Sequence, residues 1–237
     1  MNDANAGFAD RLGTVRTAIE AATRCAGRAA TDVTIVAVTK TFPPDAVDCA
    51  LAAGLGDVGE NYVQEARAKR TRAPGGRWHL IGGLQQNKVR AAVTTFDRIH
   101  TIDDARLAGA VDAAARAAGR RLRVLVQVNV ARDDAKRGVD VDGTRALCAD
   151  VLRLPGLALD GLMTIGAVAE DAEGGRAAFR LLREVRDDVA ARLGVELPHL
   201  SMGMSDDFAV AVEEGATLVR LGRVLFGTRQ PAAWREE

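Results

Sequence analysis

Short apolar runs of strand length alternate along the whole chain with longer amphipathic stretches rich in Ala and Arg. The run VTIVAVTK, residues 33–40, is β-branched and bounded by Asp32 and by Pro43-Pro44, which predicts a buried strand. Similar runs predict strands at 57–61, 78–81, 98–102, 122–129, 159–164, 199–202 and 218–220. Helical spacing predicts helices at 43–53, 62–73, 85–94, 103–118, 141–154, 173–193 and 206–214. A further amphipathic helix is expected over 8–29, ahead of the first strand. Parallel neighbours need a crossover helix, and eight such units close more readily than they spread into an open sheet. The expectation is an α/β fold: a single (β/α)8 TIM-type barrel with an extra N-terminal helix. No Pro-, Gly- or Ser-rich linker divides the chain, so residues 1–237 are expected to form one domain.

One motif invites a wrong turn. GLGDVG, Gly54 to Gly59, fits the dinucleotide-binding pattern of spaced glycines. That fingerprint needs a strand before it and a helix opening within it. Here a helical segment precedes and a strand follows, and Arg77-Trp78 stands where the ribose-binding acid belongs. A helix-capping glycine and a tight turn are expected instead.

Composition narrows the partners. The 237 residues carry 32 Lys+Arg and 32 Asp+Glu, a formal net charge of zero, which argues against nucleic acid or an anionic membrane as the main partner. Cys25, Cys49 and Cys148 are scattered without a CxxC pair, which suits a reducing compartment. The opening MNDANAGFADRL lacks the pattern of a secretory signal, and no apolar run is long enough to span a bilayer. A cytoplasmic location is expected.

In parallel barrels the chemistry gathers at the carboxyl ends of the strands. The first strand ends in Lys40, on the face shared with Val36 and Val38. A strand-end lysine can simply reach for water. In a partly dry site its neutral amine can instead attack an aldehyde to form a Schiff base. Arg220, set among apolar residues of the last strand, requires a partner: a buried carboxylate such as Glu60, or a ligand acceptor. Gly222 lets backbone approach a phosphate closely, and Ser205 is placed to cap a helix beginning at Asp206, where amide groups suit an anion. That second reading requires Asp206 and Asp207 to turn away. His79 alone reads more simply as a satisfied structural histidine. His79, His100 and His199 are widely separated, so no metal site is expected. Lys69, Lys88 and Lys136 read as solvated surface charges rather than secondary aldehyde sites. On these residues alone, a barrel enzyme acting on a phosphorylated sugar also stays open.

Taken together, VAVTK with Lys40, GENYVQE (59–65), WHLIGGLQQNK (78–88), the QVN strand, GLMTIG, LSMGMSDD and VRLGRVLFGTR resemble the pyridoxal phosphate homeostasis proteins, an alanine racemase-like family. The match covers nearly the whole chain. It departs at Leu80, where an aromatic residue or Met is usual, and at Gly166, where Pro commonly stands. The resemblance implies the barrel of the alanine racemase N-terminal domain (pyridoxal phosphate fold type III) and pyridoxal 5′-phosphate held as a Schiff base on Lys40. It implies phosphate contacts from Ser205, Gly222 and Arg223, Arg220 facing the pyridine nitrogen, and Asn61 and His79 near the cofactor. It further implies a role in intracellular vitamin B6 homeostasis, with pyridoxal phosphate-dependent apo-enzymes as recipients and a monomer as the working form. An amino-acid racemase or related enzyme is the alternative.

Physical chemistry favours binding over turnover. Arginine donates and keeps its proton, so a pyridine nitrogen facing it stays unprotonated and is a poor electron sink. Racemases with this arrangement add a second base, a tyrosine from a further domain. Here the sole tyrosine is Tyr62. No catalytic residue is therefore assigned.

Overall fold

The computed structural model describes residues 3–131, 137–166 and 172–228. Eight parallel strands close into a barrel in strict chain order. They are β1 (Thr34–Val38), β2 (Asp57–Glu60), β3 (Arg77–Leu80), β4 (Arg98–Ile102), β5 (Leu122–Gln127), β6 (Leu157–Met163), β7 (His199–Ser201) and β8 (Leu218–Leu221). Helix α1 (Asp3–Cys25) precedes them; α2 (Asp45–Ala52), α3 (Val63–Arg72), α4 (Val89–Thr95), α5 (Ala105–Ala117), α6 (Thr144–Leu152), α7 (Arg176–Leu193) and α8 (Phe208–Glu213) supply the crossovers. A short α9 (Arg223–Phe226), absent from the sequence expectation, follows β8 directly.

Local chemistry explains the punctuation. Asp104 caps α5 by accepting the Leu107 amide at 2.6 Å. Gly54, at φ +81°, ends α2 with its amide on Leu51 O and the Leu55 amide on Ala50 O. The glycine-rich stretch is thus a helix stop leading into β2, as expected. The first strand is shorter than expected: β1 stops at Val38, and Lys40 lies in the turn after it.

Most of the apolar core lies between the strands and the helices, from Phe8 and Leu12 of α1 round to Leu225 of α9. Trp78 is fully buried there, its indole donating to Gly75 O at 3.0 Å. Burying such a side chain is worth about 2–3 kcal/mol. The barrel interior is different. Among the described residues its buried apolar cluster is Val36, Leu125, Met163 and Leu218. Polar groups share the interior, among them Asp57, His79, His100, Ser201 and Arg220, where barrels of this class ordinarily stack branched aliphatics. Among the described residues no helix is long and apolar enough to cross a membrane.

Candidate functional site

At the carboxyl end of the barrel, Val38, Lys40, Asn61, Ile81, Ile165, Met204, Ser205, Asp206, Arg220, Gly222 and Arg223 surround a cavity of about 250 Å3. Six residues expected at a site meet here from four distant segments: Lys40, Asn61, Ser205, Arg220, Gly222 and Arg223. The seventh, His79, does not line the cavity.

Lys40 is half-buried and sits on a constrained turn. The next residue, Thr41, has φ +69°, a left-handed conformation that a β-branched residue rarely adopts. Its amide is held by Glu65 Oε1 at 2.5 Å. Glu65 in turn receives Lys69 Nζ at 2.8 Å, and Lys69 also donates to Glu60 Oε1 at 2.7 Å and to Thr39 O at 2.6 Å. Lys69 is therefore fully buried, contrary to its reading as a surface charge. That reading misses that Glu60, at the end of β2, turns outward against α3. Burial raises the Glu60 carboxyl to about 7 despite Lys69, and its Oε2 has no hydrogen-bond partner. Lys88 is half-buried, and Lys136 lies outside the described residues.

Arg220 is buried within β8. Its Nη1 donates to Ser201 Oγ at 2.8 Å and its Nη2 to Thr164 O at 2.9 Å. Glu60 is not its partner; that carboxylate is engaged by Lys69 and Thr39 in the layer outside the barrel. Among the described residues no carboxylate forms an ion pair with Arg220. Burial pulls its guanidinium down to about 10, opposed by the charge of Asp207.

Ser205 caps a different helix from the one expected. Helix α8 begins only at Phe208, with Asp207 at its N-cap. Ser205 Oγ instead accepts the Val224 amide at 3.3 Å, in the first turn of α9. Only Asp207 turns away, its Oδ1 accepting the Met204 amide at 2.6 Å; Asp206 stays at the cavity and pairs there with Arg223, which offsets its charge. The cavity floor between Ser205 and Gly222 is thus the start of α9, whose first-turn amides suit an anion. Gly82 fixes the opposite wall, because a Cβ there would lie 2.5 Å from Asn61 O.

His79 lies one layer deeper, buried, with Nε2 2.8 Å from Asp57 Oδ1 and Nδ1 2.8 Å from His100 Nε2. His100 Nδ1 is 2.9 Å from Ser201 Oγ. Histidines far apart in sequence therefore meet in the barrel. Among the described residues no group of three or more His, Cys, Asp or Glu is arranged to hold a metal ion. Tyr62 is exposed and lines a neighbouring groove with Lys88 and Arg137, outside the Lys40 cavity.

The family model for the alanine racemase N-terminal domain matches residues 15–230. The chain is 40% identical over 223 residues to the pyridoxal phosphate homeostasis protein of Aquifex aeolicus, covering 93% of this chain and 98% of that one. The structure of PipY from Synechococcus elongatus with pyridoxal phosphate bound superposes with a TM-score of 0.82 at 37% identity, over 93% of this chain and all of PipY. Alanine racemase of Clostridium difficile, at 14% identity and a TM-score of 0.70, shares the fold over 84% of this chain and 52% of its own.

Proposed function

Because this chain belongs to the family of pyridoxal phosphate homeostasis proteins, barrels of the alanine racemase N-terminal type, we propose that it binds pyridoxal 5′-phosphate in the Lys40 cavity and serves cofactor homeostasis. The observation that carries this reading is Arg220. A buried guanidinium has five donors and cannot cheaply lose its charge. Among the described residues protein acceptors take two of them, and no carboxylate lies within ion-pair distance. A cavity beside such a group suits a ligand that brings an acceptor and a negative charge.

When bound, the cofactor supplies an aldehyde that condenses reversibly with a primary amine. Lys40 brings that amine to the cavity, and the Thr41–Glu65 contact restrains the turn carrying it. Ser205, Gly222 and Arg223 would take the phosphate at the start of α9. Arg220 would donate to the ring nitrogen and keep it unprotonated, which disfavours carbanion chemistry. Asn61 would close the wall opposite. Among the described residues the ionisable groups lining the cavity are Lys40, Asp206, Arg220 and Arg223, and the aspartate is engaged by Arg223. Apo-enzymes that need the cofactor are the recipients in this reading. The three cysteines are all free, which suits a reducing cytoplasm.

Purified protein given pyridoxal phosphate should turn yellow, and borohydride should then fix the phosphopyridoxyl mass on the Lys40 peptide. Lys40→Ala should take up no cofactor while its melting temperature stays within about 2 °C of wild type, as expected for a half-exposed side chain. A label confined to other lysines overturns the reading.

A further inference from the structure

A continuous chain of hydrogen bonds crosses the barrel interior below the cavity. It runs from Arg220 to Ser201, to His100, to His79, and ends on Asp57 at the start of β2. Four of the five residues lie outside the cavity lining. Asp57 in turn accepts Arg77 Nε at 2.9 Å and Nη2 at 2.7 Å.

The direction of every bond in this chain follows from its ends. Arginine can only donate, so Ser201 Oγ accepts from Arg220. A hydroxyl can accept twice, so the other end decides: the Asp57 carboxylate only accepts, His79 therefore donates from Nε2–H, and with both rings neutral the serine proton goes to an unprotonated His100 Nδ1. A neutral His100 carries its proton on Nε2 and donates to His79 Nδ1. His79 is left with Nε2–H, which donates to the Asp57 carboxylate. The reverse order would require a protonated aspartate facing Arg77. Burial agrees with this pattern by holding His100 well below its ordinary value and His79 lowered as well. For Asp57, burial would raise the carboxyl, but the bonds from His79 and Arg77 outweigh it and hold it at about 2.

We propose that Ser201, His100, His79 and Asp57 are positioning residues: a one-way relay that orients Arg220 and couples its donor strength to a carboxylate at the far end of the barrel. Bonds in such a chain polarise one another, so removing the terminal negative charge is felt at the head. This rests on the reading of the cavity above, in which Arg220 meets the ring acceptor of pyridoxal phosphate. His79 thus acts on the ligand through two intermediaries, without touching it.

Two experiments test the relay. In protein free of cofactor, 15N NMR of the imidazoles should show His79 and His100 both neutral and both protonated at Nε2. Finding His100 protonated at Nδ1, or either ring cationic at neutral pH, overturns the relay whatever the cavity binds. In protein loaded with pyridoxal phosphate, Ser201→Ala and Asp57→Asn should each shift the bound-cofactor absorption and speed its release about tenfold, the scale of one lost partner in a charged bond. Combining them should add little. Asp160→Asn is the control: Asp160 is a buried carboxylate of the same end, paired with Arg98 at 2.8 Å and Arg123 at 3.1 Å but outside the chain. It should lower the melting temperature and leave spectrum and release alone. If Asp57→Asn behaves like Asp160→Asn, the chain is only structural. If wild-type protein takes up no cofactor while the tautomers are as stated, the cavity reading falls and the relay stands.

Discussion

Lys69 and Arg220 are both buried cations near the carboxyl end of the barrel, one on helix α3 outside the sheet and the other on β8 facing the interior. Lys69 lies outside the barrel, under α3, and meets two carboxylates and a backbone carbonyl within 2.8 Å. Arg220 lies inside and meets one hydroxyl and one carbonyl, with no carboxylate in ion-pair contact among the described residues. The first cation is satisfied by the fold itself. The second is left with donors that the fold does not use, next to a cavity. A buried charge that is fully compensated holds structure together, whereas one that is under-compensated is positioned for something that arrives from outside.

The sharpest way to break this contrast is to remove Lys69. Lys69→Met strands Glu60 and Glu65 without their cation and should cost about 3–5 kcal/mol in urea unfolding, the usual scale for breaking a buried pair from one side. Adding Glu60→Gln should recover part of that loss. Thr41 would lose its anchor through Glu65, so cofactor retention should fall too; an unchanged unfolding midpoint would show that the network is dispensable.

Arg220→Gln should do the opposite. Cofactor release should quicken by roughly ten- to a hundredfold, the scale of a charged hydrogen bond, while stability without cofactor changes by less than about 1 kcal/mol because no ion pair is broken. Stopped-flow transfer to an excess of a scavenging amine measures the first and calorimetry the second. A large stability loss with normal release would reverse the roles assigned to the two cations.

The smallest effect concerns pH. The folded chain keeps His79 and His100 neutral by burial, and half-buried His199 is lowered to about 4, mainly by burial. Unfolded, each takes a proton below about 6.5. Stability should therefore decline as pH falls from about 6.5, with His199 contributing less because of its exposure. Glu60 opposes this: with its carboxyl raised to about 7 in the fold, it takes its proton early and favours the folded state as pH falls from 7 toward about 4.5. The histidines outnumber it, and each net proton is worth about 1.4 kcal/mol per pH unit. The melting temperature of cofactor-free protein should drop between pH 7 and pH 5; a rise would mean that Glu60 dominates.

Much of the site was legible in sequence because strand-end position is a local property. Lys40 after a β-branched run, Ser205 before a helix and Gly222 after the last strand are readable from spacing and turn chemistry. The error over Ser205 was in the helix it serves: α9 has only four residues and no periodicity to announce it. Lys69 was misread because the acids that bury it come partly from a different element, Glu60 on β2. His100 drew no notice as a partner of His79, 21 residues apart, because nothing local marks two inward positions on adjacent strands as neighbours.

What the sequence determined by itself was the alternation of strands and helices, the order of the eight units, and which residues stand at the strand ends. These follow from periodicity and capping, each settled within a few residues. Only the tertiary structure decided which charges compensate one another. Closing the barrel sets inward and outward faces against partners from distant segments, and electrostatic compensation depends on separations of a few ångströms that no spacing along the chain records.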